Sequence, residues 1–150
     1  MIWYCDSSAL VKQYVREVGS PWFRHQKGQH QLVTSALAIA EIPSALARRM
    51  RDGTISTFEF HRGRLQFIHH LHLGQYKLVP VSTEVIELAS LLIYRLPLSA
   101  YDAIHLASAL HYLRGSGSDI DQFYFVTADN QLQAAAESEG VKTQNPNKPG

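Results

Sequence analysis

Four acidic residues stand at positions where a carboxylate is readily turned to chemistry. Asp6 ends the apolar run Ile2-Trp3-Tyr4-Cys5, and Asp129 follows Phe123-Tyr124-Phe125-Val126-Thr127 after one alanine. Asp102 lies three residues beyond Ser99, at the head of a long apolar stretch. Glu41 sits inside Ala36-Leu37-Ala38-Ile39-Ala40-Glu41-Ile42-Pro43, where no helical turn offers a polar face. A carboxylate on such a surface must be paired, protonated or bound to a cation, because an isolated buried charge is very costly. Each acid also has a plainer use. Asp6 and Asp129 suit helix N-caps, Asp102 suits the third position of a Ser-x-x-Asp capping box, and Glu41 suits a buried salt bridge to an arginine. Gathered at one end of a domain, however, four carboxylates repel one another, and that arrangement makes sense with a hard divalent cation. Mg2+ or Mn2+ favours oxygen ligands and keeps several waters. An ion so held polarises a phosphodiester, acidifies a bound water and stabilises a leaving oxygen. Ser8 and Thr127 supply hydroxyl donors beside the acids.

Bringing these residues together requires elements that end at them. Short runs of β-forming apolar residues predict strands at residues 2–5, 32–34, 78–81 and 123–127, with an edge strand at 141–143. Helices are expected over 7–18 and 21–27, after Ser35, from Ser56 or Thr57 to 73, and over 82–95, 99–113 and 129–139. Ser35, Ser82 and Ser99 serve as N-caps, Asp52-Gly53 as a turn and Gly140 as a C-cap. Short apolar strands alternating with helices specify a mostly parallel sheet covered on both faces, a single three-layer α/β/α domain. Sites in such sheets gather beyond the carboxyl ends of the strands, which is where Asp6 and Asp129 fall. One domain is expected over residues 1–143. The segment 144–150 has nothing to bury and is expected to be a flexible tail.

A chain of 150 residues, 45% hydrophobic and 18% charged, buries a sizeable core without staples. Its single cysteine, Cys5, rules out an intramolecular disulfide and a cysteine-built zinc site, and its neighbours mark it as a small buried hydrophobe. The opening apolar stretch stops at Asp6, too short for a signal peptide or a membrane span, so a cytoplasmic protein without membrane association is expected. A formal charge of +1 supplies no global field to hold nucleic acid. Locally, Arg48, Arg49, Arg51, Arg62 and Arg64 form a basic cluster, either a patch for RNA phosphates or a solvated helix surface.

The stretch Cys5-Asp6-Ser7-Ser8-Ala9-Leu10-Val11-Lys12 resembles the opening motif of PIN domains, especially the VapC toxins of bacterial toxin–antitoxin pairs. Thr34-Ser35-Ala36-Leu37 leading to Glu41, with Ala45-Leu46 behind, resembles the second acidic motif. Tyr101-Asp102-Ala103-Ile104-His105-Leu106-Ala107-Ser108-Ala109 resembles the third, and Phe125-Val126-Thr127-Ala128-Asp129-Asn130-Gln131-Leu132 the fourth. The motifs follow the family's order over about residues 2–143. The resemblance implies an endoribonuclease that cuts RNA with Mg2+ or Mn2+, in which Asp6, Glu41, Asp102 and Asp129 match the acidic positions and Thr127 the small hydroxyl position. It also implies a small antitoxin protein that holds such a toxin inactive. Two positions depart from the pattern. Ser99 stands in the region where an arginine often precedes the third acid, and Pro43 removes a helical hydrogen bond two residues after Glu41, which would kink the helix and re-aim the carboxylate.

Trp22, Phe23, Phe58, Phe60, Leu65, Phe67, Ile68 and Leu71 offer more apolar surface than short helices need. A strip left exposed would suit an amphipathic partner helix in a groove and would make the isolated protein a homodimer. His69, His70 and His72 are dense, yet 69 and 72 share a helix face while 70 points elsewhere, and no acid or cysteine nearby completes a metal set. His105, one turn after Asp102, reads as a hydrogen-bonded structural histidine, the other option being a residue that orients part of the site. An aspartate-nucleophile phosphatase would want a second acid two residues after Asp6, where Ser8 stands. A PIN-like fold kept as an RNA-binding or partner-binding module stays open as the alternative to an enzyme.

Overall fold

The structure is a computed structural model that describes all 150 residues. Five strands, β1 (Ile2–Cys5), β2 (Gln31–Ser35), β3 (Tyr76–Val79), β4 (Phe123–Val126) and β5 (Lys142–Gln144), pair in parallel in the order β3-β2-β1-β4-β5. Seven helices connect them: α1 (Ser7–Leu10), α2 (Ser20–Gln26), α3 (Ala38–Arg51), α4 (Thr57–His72), α5 (Thr83–Arg95), α6 (Ala100–Ser116) and α7 (Asn130–Ser138).

Strand alternation sorts the core into two layers. Trp3 and Cys5 of β1 and Val126 of β4 meet Leu10, Phe23, Ile42, Leu46 and Phe67 from α1–α4. Tyr4, Phe123 and Phe125 face the other way, onto Val85, Leu92, Leu106 and Leu132 from α5–α7. Burying each such side chain is worth ~1.5–3 kcal/mol, so both faces are held by packing. This is the three-layer α/β/α architecture expected from the alternation of elements. The chain runs outward from β1 to β2 and β3, then returns to lay β4 against the other side of β1. The strand order therefore reverses between β1 and β4, and the crevice beyond their carboxyl ends is the usual binding position of such sheets. Cys5 pairs with Val126 across this point, so Asp6 and the turn carrying Asp129 emerge side by side.

Several boundaries differ from expectation, each for a local reason. The helix expected over 7–18 is α1 followed by a 3-10 turn at Val11–Gln13. Arg24 donates to the carbonyls of Lys12 and Val15, and Ser20 Oγ donates to Val15 as well, so side chains take acceptors that a longer helix would use. Ser35 closes β2 and accepts from Leu37 N rather than capping a helix directly, and α3 starts at Ala38. β3 lies two residues earlier than expected. It ends where Val79 O accepts from Ala36 N, and Pro80 has no N–H with which to continue. α3 passes through Pro43 without ending. The chain expected to be loose from Gln144 is tied down: Gln144 belongs to β5, and buried Asn145 donates to the side chains of Asn130 and Gln133. Pro146 O would lie only 2.7 Å from a Cβ on Gly19, a contact that, with the positive φ of 85°, requires glycine there.

Candidate metal and nuclease site

Asp6 leaves β1 as the N-cap of α1, and both of its carboxylate oxygens accept hydrogen bonds. Oδ1 accepts from Ala9 N at 3.0 Å and Ser8 Oγ at 2.7 Å, and Oδ2 accepts from Thr127 Oγ1 at 2.7 Å. It is 3% exposed. Burial pushes its carboxyl above the usual carboxylate range, against the opposing pull of the His105 ring and the three hydrogen bonds. The same two hydroxyls reach the next turn: Ser8 Oγ accepts from Ala128 N at 3.0 Å and Thr127 Oγ1 from Asp129 N at 3.1 Å. Ser8 and Thr127 thus lace the β1–α1 turn to the β4–α7 turn.

Asp129 caps α7. Its Oδ1 accepts from Gln131 N at 2.8 Å and Leu132 N at 3.0 Å, which leaves Oδ2 without a donor from the protein. Asp102 lies in the first turn of α6, where its N–H donates to Ser99 Oγ. The reciprocal bond from the Ser99 backbone N–H is not made, and only the Ser99 hydroxyl touches the carboxylate from the helix start. Burial, then the negative charge of Asp129 and more weakly that of Glu41, raise the Asp102 carboxyl above its ordinary value. Like charges therefore face one another here. Glu41, in the first turn of α3, presents Oε1 to His105 Nε2 at 2.6 Å, and His105 Nδ1 lies 2.9 Å from the Tyr4 hydroxyl. The partner looked for among the arginines is this histidine. Its place one turn after Asp102 was visible in the sequence, while Glu41, 64 residues away, could not be paired with it by spacing.

No three His, Cys, Asp or Glu side chains close on one point tightly enough to enclose an ion. The donor set is nevertheless of the right chemistry for Mg2+ or Mn2+. Oδ2 of Asp129 and Oε2 of Glu41 offer hard oxygens without competing protein donors, and Asp102 adds a carboxylate touched only by the Ser99 hydroxyl; such ions are commonly held by one or two carboxylates plus water. The set does not suit a closed zinc cage.

A cavity of about 480 Å³ adjoins Glu41 and is lined by Ser7, Ser8, Lys12, Arg48 and Arg49 among others. Glu17 pairs with Arg49 and accepts from Lys12 Nζ at 3.1 Å. The arginine cluster divides around it. Arg48 and Arg49 line this cavity, Arg62 opens onto a separate one of about 470 Å³ beside Arg16 and Arg24, and Arg51 and Arg64 line neither. His70 of the histidine-rich stretch accepts or donates at 2.7 Å with the Tyr14 hydroxyl, and so serves packing between α4 and the turn after α1.

A parallel α/β/α sheet with an acidic crevice at its switch point describes the class. The sequence model of the PIN domain matches residues 3–138, and the chain belongs to the PIN domain family. No curated protein matches it. Solved structures of similar fold include a toxin–antitoxin complex from Klebsiella pneumoniae, with 14% identity, 97% of this chain and 98% of that one covered, and a TM-score of 0.62. VapBC2 from Rickettsia felis, bound to a DNA fragment from its promoter, gives 11% identity, 97% and 98% coverage and 0.60. FitAB bound to the IR36 DNA fragment gives 16% identity, 99% and 98% coverage and 0.65.

Proposed function

We propose that this chain is a Mg2+- or Mn2+-dependent endoribonuclease, the toxin of a toxin–antitoxin pair, with Asp6, Glu41, Asp102 and Asp129 as its ion-holding and catalytic residues. The observation that carries the reading is the opposition of Asp102 to Asp129 and Glu41 at the switch point, next to a crevice with arginines on its wall. Such repulsion has no structural use, and a bound divalent cation relieves it. When bound, that ion supplies Lewis acidity toward the phosphodiester and lowers the pKa of a coordinated water. Asp6, buried and held by three donors, keeps the innermost carboxylate in place. Asp102 and Asp129 complete the set from two helix starts. Arg48 lies one helical face along from Glu41, seven residues on, and steadies a neighbouring RNA phosphate; Arg49, Arg51, Arg62 and Arg64 extend the basic surface with lesser roles.

The toxin reading draws on the PIN family and on the folds of the toxin–antitoxin complexes. Exposed apolar side chains give surfaces for the two protein partners, a second copy of this chain and a small antitoxin: Leu91, Ile93 and Tyr94 on α5, and Phe58 and Leu65 on α4. No helix is long and apolar enough to cross a membrane, in keeping with a cytoplasmic site of action. The test is cleavage of RNA by the purified chain with Mn2+ and with EDTA. Cleavage that survives chelation sinks the metal mechanism. The acids do not enclose a point on their own, and this favours, as second reading, a PIN fold that binds RNA or a partner without cutting. RNA binding without cleavage in Mn2+ would select it.

A further inference from the structure

We infer that His105 is a positioning residue that aims Glu41 into the acid cluster, through a hydrogen-bond chain anchored at Tyr4. The inference rests on the reading of Glu41 as an ion-holding carboxylate. The four acids differ in how they are fixed. Asp6 and Asp129 are gripped by backbone N–H groups at strand-to-helix turns, and Asp102 sits at a capped helix start on a short side chain. Glu41 has no backbone donor. Its longer side chain has three rotatable bonds, and its one hydrogen-bond partner is His105 Nε2, at 2.6 Å from Oε1. A carboxylate only accepts, so Nε2 carries the hydrogen. In the neutral ring Nδ1 is then an acceptor, and the fully buried Tyr4 hydroxyl, 2.9 Å away, donates to it. Tyr4 is stacked on Phe125, with ring centroids 5.3 Å apart, and the histidine is 1% exposed, so neither of these two rings is free to swing.

The direction Tyr4 to His105 to Glu41 occupies Oε1 from behind and leaves Oε2 for the crevice. It also ties the elements of the site together. Tyr4 lies on β1 two residues before Asp6, His105 lies on α6 one turn after Asp102, and Glu41 lies on α3. A structural histidine has no need to end on a half-buried carboxylate at the site. An orienting one does, since carboxylates that hold metals are themselves held by hydrogen bonds.

The experiment is isothermal titration of the full metal-free chain with Mn2+, with far-ultraviolet circular dichroism as the check of folding. The variants are His105→Leu, His105→Gln and Tyr4→Phe, and His105→Leu is repeated in a Glu41→Gln background. His105→Leu is expected to weaken Mn2+ binding by roughly 10–100-fold, the usual effect of losing an outer hydrogen-bond partner. His105→Gln, whose amide N–H reaches close to the place of Nε2, is expected to recover most of the loss, and Tyr4→Phe to weaken binding severalfold. In the Glu41→Gln background His105→Leu should change nothing further. Folded His105→Leu with parental Mn2+ affinity, or the same loss with and without Glu41, overturns the inference and leaves the proposed function standing. If His105→Leu does not fold, Tyr4→Phe decides, and parental affinity in that variant overturns the chain. A parent that neither binds Mn2+ nor cuts RNA instead removes the proposed function, and this inference with it.

Discussion

Asp6 takes three donors and Glu41 the buried His105, whereas the Asp102 carboxylate meets only the Ser99 hydroxyl and Asp129 keeps one oxygen free. The first pair lies at the end of β1 and in the first turn of α3, beside the core. The second pair starts two helices at the rim, and there the acids act on each other through their charges. One half of the crevice is therefore fixed by hydrogen bonds, and in the other half burial and the charge of Asp129 push the Asp102 carboxyl up. A cation placed between them would gain from both: fixed ligands that need no reordering, and relief of charge opposition. Fixed geometry carries the positional demand of catalysis, because ligands already in place lose nothing when the reaction begins.

Replacing one acid of each half with its amide tests whether both are needed. Asp6→Asn and Asp102→Asn are each expected to lower Mn2+-dependent RNA cleavage by at least ~100-fold, about 3 kcal/mol of transition-state stabilisation. Single-turnover rates at saturating Mn2+ measure it. Near-parental cleavage by Asp102→Asn would mean that the rim acids are helix furniture and that only the inner pair works.

The halves should also part in their response to pH without metal. Asp6 and Asp102 both hold protons more tightly in the folded chain than ordinary carboxyls do, Asp6 mainly through burial. Stability from this source is complete below the ordinary carboxylate value of about 4 and is lost as pH rises through the raised folded values. In EDTA, the melting temperature of the parent should therefore fall relative to Asp6→Asn as pH climbs from about 4 toward neutrality. Asp102→Asn should show a smaller difference, since it is less buried, and Mn2+ should reverse the trend in the parent. Melting curves of parent and variants that stay parallel at every pH would remove the electrostatic half of the comparison.

The arginines give a smaller effect with a spatial signature. Arg48 lines the cavity beside Glu41 and Arg62 a different one. Arg48→Ala is expected to weaken RNA binding and reduce the slope of log affinity against log salt by ~0.7, one single-stranded phosphate contact. Arg62→Ala should change the slope little. Parental slopes for both variants would return the whole cluster to solvated surface.

Sequence carried the frame of this site further than its interior. Ser56, Ser82, Ser99 and Asp129 announce helix starts, and each accepts the backbone donor its type predicts. Those signals are local, set within three or four residues. The parallel sheet followed from strands that are apolar on both sides. What stayed hidden was tertiary. Arg24 cuts short the first helix by taking the carbonyls of Lys12 and Val15, and no pattern of apolar spacing reports such a competition. Asn145 is anchored by Asn130 and Gln133, polar partners that the composition of a Pro/Asn-rich end does not advertise. His105 was legible as a buried helix residue, but its partners Tyr4 and Glu41 come from 101 and 64 residues away.

The finest distinction concerns Asp129, which serves as helix cap and as rim acid with different oxygens. Oδ1 accepts both backbone N–H groups of the cap, and Oδ2 accepts from no group of the protein. Asparagine keeps the capping carbonyl and removes the charge, while alanine removes both. If the rim is held under repulsion, Asp129→Asn should melt slightly higher than the parent in EDTA, because Asp102 loses its opposing neighbour. Asp129→Ala gains the same relief but gives up a cap worth ~1 kcal/mol, so it should melt lower than Asp129→Asn by ~2–4 °C in a chain of this size. Millimolar Mn2+ separates the two uses of the residue. It raises the parent by an increment set by affinity, and that increment should shrink equally in Asn and Ala variants, since both lack the oxygen anion. Differential scanning calorimetry in the two buffers reads all four comparisons. A parent that ignores Mn2+, with Asn level with the parent and only Ala displaced, would mean that Asp129 is a cap and nothing more, and that the crevice is charged on one side alone.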